Sequence, residues 1–338
     1  YNPAIFIAAT HKALMELIRG IHNIKPRHRG CVLTIGNFDG VHQGHHAVLS
    51  RLQEKAAQLG LPACVMLFEP QPLELFAGAA APARLSRLRE KYEALKGMQI
   101  DRMLCVRFNH RFAEQSATTF IEQLLVEKLG VHYLVVGDDF RFGKGREGDF
   151  HLLEEAGRRF GFEVISTQSF QLSRQRVSST LVREALAAGR MAEVELMLGR
   201  PYTISGRVAH GDKLGRTIGF PTANLALKRQ VIPVGGVFAV EVLCSGKTFP
   251  GVANVGVRPT LSGTQARLEV HLFDFSGDLY GQQVKVLLRH KLREEQKFAS
   301  FTALKEQIER DALAARAWFG LPLLHLPSTL LEKKGTQD

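Results

Sequence analysis

One segment constrains this chain more than any other: Gly36-Asn37-Phe38-Asp39-Gly40-Val41-His42-Gln43-Gly44-His45. It follows the apolar run Cys31 to Ile35 and precedes a helical pattern, so it reads as a strand, a glycine-rich turn and a helix N-terminus. A helix start presents unpaired N–H groups and a partial positive charge, which suits a phosphate. His42 and His45 are three residues apart and share a face on a helical first turn. Two imidazoles there can donate hydrogen bonds to phosphate oxygens without the geometry of a metal site. A histidine on a helix is otherwise an ordinary satisfied polar group, and it is the glycine-rich lead-in that favours a nucleotide.

The chain around this motif has 338 residues, 45% of them apolar, which is enough for two domains with their own cores. No apolar run approaches the roughly 18 residues of a membrane span. Cys31, Cys64, Cys105 and Cys244 are scattered, with no C-x-x-C pair, which argues against zinc and against a disulfide framework. Reduced, buried thiols in a cytoplasmic protein are expected. The formal charge of +11 suits anionic ligands. Basic residues are spread out, without an aromatic-interleaved stripe, so phosphorylated small molecules are expected over nucleic acid or a membrane.

The first half alternates strand-like and helix-like segments. Strands are expected at Cys31–Gly36, Ala63–Phe68, Arg102–Phe108, Tyr133–Gly137 and Glu163–Thr167, and helices near 44–59, 84–97, 117–130 and 150–160. Such alternation implies a mostly parallel α/β sheet, whose ligands sit beyond the strand C-termini. Past Ser178-Ser179-Thr180 come two short helical segments ending near Pro201. The runs Tyr202–His210, Val237–Cys244, Arg267–Phe275 and Gln283–His290 then read as strands between Gly/Pro turns. An antiparallel barrel or sandwich with a terminal helix at Phe301–Trp318 fits this half, with the boundary near 187–201.

Four further segments carry chemistry. Arg183 follows Ser179 by four and Thr180 by three, so hydroxyls at a helix start share a face with a guanidinium and can hold phosphates; an ordinary N-cap with a solvated Arg is the bland alternative. In Gly137–Gly148, Asp138 and Asp139 precede interleaved aromatic and basic residues, including Phe140, Arg141 and Phe142, which can enclose a flat ring; the alternative is an anchored surface loop. In Gly211–Asn224, glycines 211 and 215 let backbone N–H groups approach phosphates and Lys213 adds charge. Thr222 and Asn224 alternate on an extended segment and can present oxygens to Mg²⁺ there, unless this is simply a glycine-rich hairpin. Glu269 and His271 share one face of a strand, where a carboxylate can take a hydroxyl proton or merely face solvent.

His42-Gln43-Gly44-His45 resembles the H-x-G-H signature of nucleotidyltransferases. Taken in order, G-N-F-D-G-V-H-Q-G-H, V-G-D-D-F-R-F-G, S-S-T-L-V-R and G-F-P-T-A-N resemble the prokaryotic bifunctional riboflavin kinase/FAD synthetase family from about Met15 to Leu321. The resemblance implies a Rossmann-like nucleotidyltransferase domain over 15–198 that makes FAD and pyrophosphate from FMN and ATP. It also implies a β-barrel riboflavin kinase domain over 199–325 that makes FMN from riboflavin and ATP. An extension at 1–14 and a tail at 326–338 would flank them, Mg²⁺ would serve both reactions, and a monomer is expected.

By the same resemblance, Gly36, Asn37, Phe38, His42, Gly44, His45, Ser179, Thr180 and Arg183 bind ATP for adenylyl transfer, with His42 and His45 catalytic. Asp139, Phe140, Arg141 and Phe142 face the flavin. Gly211, Lys213, Gly215, Thr222 and Asn224 bind the kinase ATP, Thr222 and Asn224 its metal, and Glu269 is the base. The family's usual G-V-Y stands here as Gly236-Val237-Phe238, keeping the ring and losing a hydroxyl. Two rivals stay open on residues alone: a nucleotidyltransferase for another phosphorylated acceptor with an unrelated barrel, and a nucleic-acid-binding module.

Overall fold

The computed structural model describes residues 14–167, 177–209, 220–227, 231–260 and 263–322. Residues 1–13, the tail 326–338 and the loop residues Gly211, Lys213 and Gly215 lie outside this set. The chain divides into two compact units, Tyr1–Pro82 with Ser86–Ser178, and Ala83–Leu85 with Ser179–Asp338.

In the first unit, six strands form one parallel sheet: β1 (Glu16–Arg19), β2 (Cys31–Ile35), β3 (Ala63–Glu69), β4 (Arg102–Arg107), β5 (Val131–Val136) and β6 (Glu163–Ser166). Their order is β1-β4-β3-β2-β5-β6. A parallel sheet must be covered on both faces, and the side chains divide accordingly. Cys31, Leu33, Met66, Leu104 and Leu134 enter one core, with Leu124 and Leu125 of the π-helix Phe120–Lys128 and Leu153 of Phe150–Phe160. Val32, Val65, Leu67, Met103 and Val135 enter the other, with Leu49 and Leu52 of helix α1 (Gln43–Leu59) and Leu95 of α3 (Leu88–Gly97). Between these helices, α2 is Pro72–Ala77.

Three departures from the sequence reading have local causes. The helix expected from 84 begins at Leu88, because Arg87 is extended and its N–H donates to Glu90 Oε2 at 2.7 Å, closing a capping box. The helix expected over 117–130 starts as an α-helical turn at Ala117–Thr119 and continues in π geometry. The edge strand β1, four residues long, is too short for its period to register.

The second unit opens with helices Ser179–Ala187 and Met191–Leu198 and closes a six-stranded antiparallel barrel. Its strands are β7 (Tyr202–Ala209), β8 (Ala223–Ala226), β9 (Gly236–Cys244), β10 (Lys247–Thr260), β11 (Gly263–Leu272) and β12 (Gln283–Arg293), paired in the ring β10-β11-β8-β7-β12-β9. Of the barrel and the sandwich, the barrel is what forms. In β12 every second residue, Val284, Val286 and Leu288, is buried, the period of a strand with one face on a core. The strand β10 had no sequence expectation; Pro250, Gly251 and Gly256 interrupt its pattern.

The terminal helix runs from Phe301 to Trp318, capped by Ser300 Oγ, which accepts from Ala303 N–H at 3.1 Å. Its Ala312 and Ala315 pack on Val237, Ala239, Val252 and Phe273. A bidentate pair fixes it to β12: Arg293 Nε and Nη2 donate to Asp311 Oδ1 and Oδ2 at 2.8 and 2.7 Å.

Candidate active sites

In the first unit the strand order reverses at β2, which has β3 on one side and β5 on the other. The crevice beyond the C-terminal ends of β2 and β5 is where a sheet of this kind takes a ligand. Gly36 leaves β2 and Gly137 leaves β5, so both loops singled out in the sequence start at that switch point.

Helix α1 starts there too, with His42 as its N-cap. His42 N–H donates to His45 Nδ1 at 3.2 Å, so a neutral His45 carries its proton on Nε2 and can donate from it. The two rings stack with centroids 3.7 Å apart and 21° between planes, and Phe38 lies 4.9 Å from His45. A Cβ on Gly44 would come within 2.6 Å of the Val177 carbonyl oxygen, so the helix can approach that backbone only with glycine here.

The turn leading into α1 is strained. Phe38 and Val41 have φ of 46° and 44°, in the left-handed region that residues with a Cβ rarely occupy. Side chains outside the motif hold it. Ser86 donates from N–H to Asp39 Oδ1 at 3.0 Å, and its Oγ accepts from Gly40 N–H at 2.8 Å. Lys91, with no solvent exposure, donates from Nζ to the Asn37 carbonyl oxygen at 2.8 Å. Sequence reasoning missed Ser86 and Lys91, because a lysine on a helix of mixed polarity reads as solvated.

In the loop after β5, Asp139 and Arg141 are exposed and Phe140 is half-buried. Arg141 Nη1 donates to the carbonyl oxygens of Asp138 and Phe140 at 3.1 and 3.0 Å, and Ser166 Oγ donates to Asp138 Oδ1. Phe142 is buried in the core, stacked on Phe140 at 5.5 Å and against Phe120 at 5.1 Å. The rings continue through Phe112 and Phe108 to Phe68 and Phe76. Ser179, Thr180 and Arg183 belong to the second unit, where Arg183 Nε donates to the Ala83 carbonyl oxygen at 2.6 Å.

Between the barrel and the terminal helix lies a cavity of about 410 Å³ whose lining includes Thr222, Asn254, Glu269, His271, Arg293 and Glu295. Glu269 of β11 stands opposite Asn224 of β8, and Thr222 and Glu269 both line this cavity. Asn224 Nδ2 donates to the Thr222 carbonyl oxygen at 3.5 Å, which turns its Oδ1 the other way. A smaller hollow of about 100 Å³ also has Thr222 in its wall, with Leu272, Phe275, Leu279 and Tyr280. Thr222 therefore borders both.

His271 shares the cavity wall. Its Nδ1 lies 3.0 Å from the Pro221 carbonyl oxygen and its ring meets Phe220 edge-on at 5.1 Å, tying it to the segment that carries Thr222. Burial pushes its imidazole below the usual histidine range, and the Arg316 charge adds to this, while the Pro221 carbonyl and Asp274 oppose it.

Two consequences can be measured. Lys91→Met removes a buried donor that holds the Asn37 carbonyl and should destabilise the first unit by about 1–3 kcal/mol, seen as a lower denaturant midpoint. A histidine whose folded pKa is depressed penalises the folded state once the unfolded chain takes up its proton, near pH 6.5. The second unit should therefore lose stability as pH falls from about 6.5 through the lower folded value, with no such effect above it. His271→Gln should show a smaller drop in unfolding midpoint between about pH 7.5 and pH 5.5.

Comparison with known proteins agrees with this division. The family described as FAD synthetase matches residues 24–181, and the family described as riboflavin kinase matches residues 198–319. The bifunctional riboflavin kinase/FMN adenylyltransferase of Escherichia coli (strain K12) is 60% identical over 309 residues, 91% of this chain and 99% of that protein. That of Pseudomonas fluorescens is 54% identical over 304 residues, 90% and 97% of the two chains. A crystal structure described as a macrolide-efflux protein from Streptococcus pneumoniae superposes with a TM-score of 0.74 at 29% identity, covering 90% of this chain and 100% of that one. Among the described residues no helix is long and apolar enough to cross a membrane. With both domain families matched in sequence order and relatives of this identity aligned nearly end to end, the chain belongs to the bifunctional riboflavin kinase/FMN adenylyltransferase family.

Proposed function

We propose that the crevice at β2 and β5 holds the ATP triphosphate for adenylyl transfer, and that the barrel cavity holds riboflavin for phosphorylation. The chain is a bifunctional enzyme, an FMN adenylyltransferase and a riboflavin kinase in that order along the sequence. The observation that carries the site assignment is a stacked histidine pair at a helix N-terminus on the switch point of a parallel sheet.

In adenylyl transfer, an oxygen of the FMN phosphate attacks the α-phosphorus of ATP, the bond to the β-phosphate oxygen breaks, and pyrophosphate leaves. No protein nucleophile is required, so positioning and charge stabilisation carry the acceleration. His45 donates from Nε2, and His42 and the first N–H groups of α1 complete the cradle, with Gly36, Asn37, Phe38 and Gly44 shaping it. Asp139, Phe140 and Arg141 face the flavin, while Phe142 supports Phe140 from the core. Ser179, Thr180 and Arg183 keep their proposed part as phosphate ligands.

In the kinase, Thr222 between the two hollows supports a division in which the larger takes the flavin and the smaller takes the nucleotide. The terminal hydroxyl of riboflavin attacks the γ-phosphorus, Glu269 takes its proton, and ADP departs. Among the described residues no three His, Cys, Asp or Glu side chains cluster as a metal cage. Mg²⁺ is bound through phosphates with few protein oxygens, so the oxygens of Thr222 and Asn224 fit it, and it would neutralise charge on the transferring phosphate. Gly211, Lys213 and Gly215 are proposed to hold the nucleotide phosphates. Domain limits of 15–198 and 199–325, action as a monomer and a cytoplasmic location complete the proposal; the four cysteines are buried and joined in no disulfide, as suits a reducing compartment.

Incubation with riboflavin, ATP and Mg²⁺, followed by chromatography, should yield FMN and then FAD. His42→Ala and His45→Ala should each cut FAD formation from supplied FMN about 100-fold, the scale of a lost oxyanion-type donor, and spare FMN formation. Loss of both activities from either change would contradict separate sites. Glu269→Gln should lower kinase turnover about 100-fold or more while supplied FMN is still adenylylated. Kinase turnover near wild type would remove Glu269 as the base.

A further inference from the structure

Asn254 of β10 stands opposite Glu269 of β11, which in turn stands opposite Asn224 of β8. Residues opposite one another in a ladder share a face, with Cβ atoms about 5 Å apart. Three polar side chains thus form a row across three strands, with the carboxylate in the middle. Both Glu269 and Asn254 line the large cavity.

The Asn254 amide has a settled orientation. Its Nδ2 donates to Glu295 Oε1 at 3.1 Å, and since a carboxylate only accepts, the amide nitrogen must face it. Glu295 is seated over Gly256, where any Cβ would collide with its carboxylate. Gly256 leaves the space that Glu295 occupies in this arrangement, and Glu295 aims Asn254. The other end of the amide, Oδ1, is buried and meets no donor among the described residues. Buried acceptors are normally paired, and since Asn254 lines the cavity, a molecule entering it can supply the missing donor with a small shift of the amide.

We infer that Asn254 is a substrate-binding residue of the kinase, its Oδ1 accepting a hydrogen bond from a secondary hydroxyl of the riboflavin sugar-alcohol chain. This rests on the reading of the cavity as the flavin site. If Glu269 receives the proton of the terminal hydroxyl, a donor one strand spacing away belongs to the same chain. The flavin's other donor, the ring N3–H, is on the ring system, away from that hydroxyl. Glu295, which touches no reacting atom, acts as a positioning residue.

The test uses the full chain and two kinase substrates: riboflavin, and an analogue whose secondary chain hydroxyls are replaced by hydrogen while the terminal one is kept. Asn254→Leu should raise KM for riboflavin about tenfold, the scale of one lost neutral hydrogen bond, with kcat within about threefold. KM for the analogue should not move, so the wild-type preference for riboflavin disappears. Adenylylation of supplied FMN at the wild-type rate reports that the chain is folded; should that fail, Asn254→Ala replaces it. Equal losses on both substrates, a retained preference in the variant, or lost discrimination against an N3-methylated flavin instead would each overturn the role given to Asn254. Wild-type protein that phosphorylates riboflavin without preferring it to the analogue overturns that role alone. Wild-type protein that phosphorylates no flavin overturns the flavin reading of the cavity with it.

Discussion

The chemistry proposed for the first unit depends on holding the short turn between β2 and α1 in a conformation the backbone does not favour. Two residues with side chains, Phe38 and Val41, sit at positive φ, each at a cost on the order of 1–3 kcal/mol. Such strain persists only where the surroundings over-determine it. Here Ser86, Asp39 and Lys91 do so, each through a buried hydrogen bond to the turn or within it. A lysine with zero exposure is expensive unless paired. Its presence beneath the loop points to what the loop needs: a cation whose donors tie down a carbonyl while the N–H groups at the start of α1 remain directed at the crevice.

The barrel solves a similar problem by register. In an antiparallel ladder a one-residue slip moves every side chain to the other face, so register decides which polar groups meet. The pairings of β8 with β11 and of β11 with β10 place Asn224, Glu269 and Asn254 side by side, though they are distant in the chain. Closure of the sheet makes that register rigid. The clamp of Arg293 on Asp311 then holds the terminal helix against the same wall.

Much of this was legible before any coordinates. Apolar runs set between helical patterns mark five of the six parallel strands, and the Gly-rich turn before a helix start marks the strand–turn–helix at β2, because those signals are local. Thr222, Asn224 and Glu269 were legible as residue types but not as a constellation. What stayed hidden was non-local or masked. Strand β10 carries Pro250, Gly251 and Gly256, which read as turn residues, yet all three are paired in its ladders. Lys91, Ser86 and Asn254 are ordinary residues in ordinary patterns, and only burial and a specific partner distinguish them. The aromatic series from Phe140 to Phe76 draws on loops, helices and a strand, so no window of sequence contains it.

On the proposed site assignments both halves address polyphosphate chemistry with groups that hold and none that attack, and the two solutions differ for a physical reason. A parallel sheet ends its strands together at a helix N-terminus, which supplies backbone N–H groups and a positive dipole end, and so suits a cradle built of main chain and imidazole. A closed antiparallel barrel has no such convergence of helix starts. Its polar groups come from side chains at opposed ladder positions, and in the proposed assignment a cation held by hydroxyl and amide oxygens would meet the charge on the phosphate. The glycines, histidines and helix cap of one half and the Thr, Asn and Glu of the other therefore follow from the architecture that presents them.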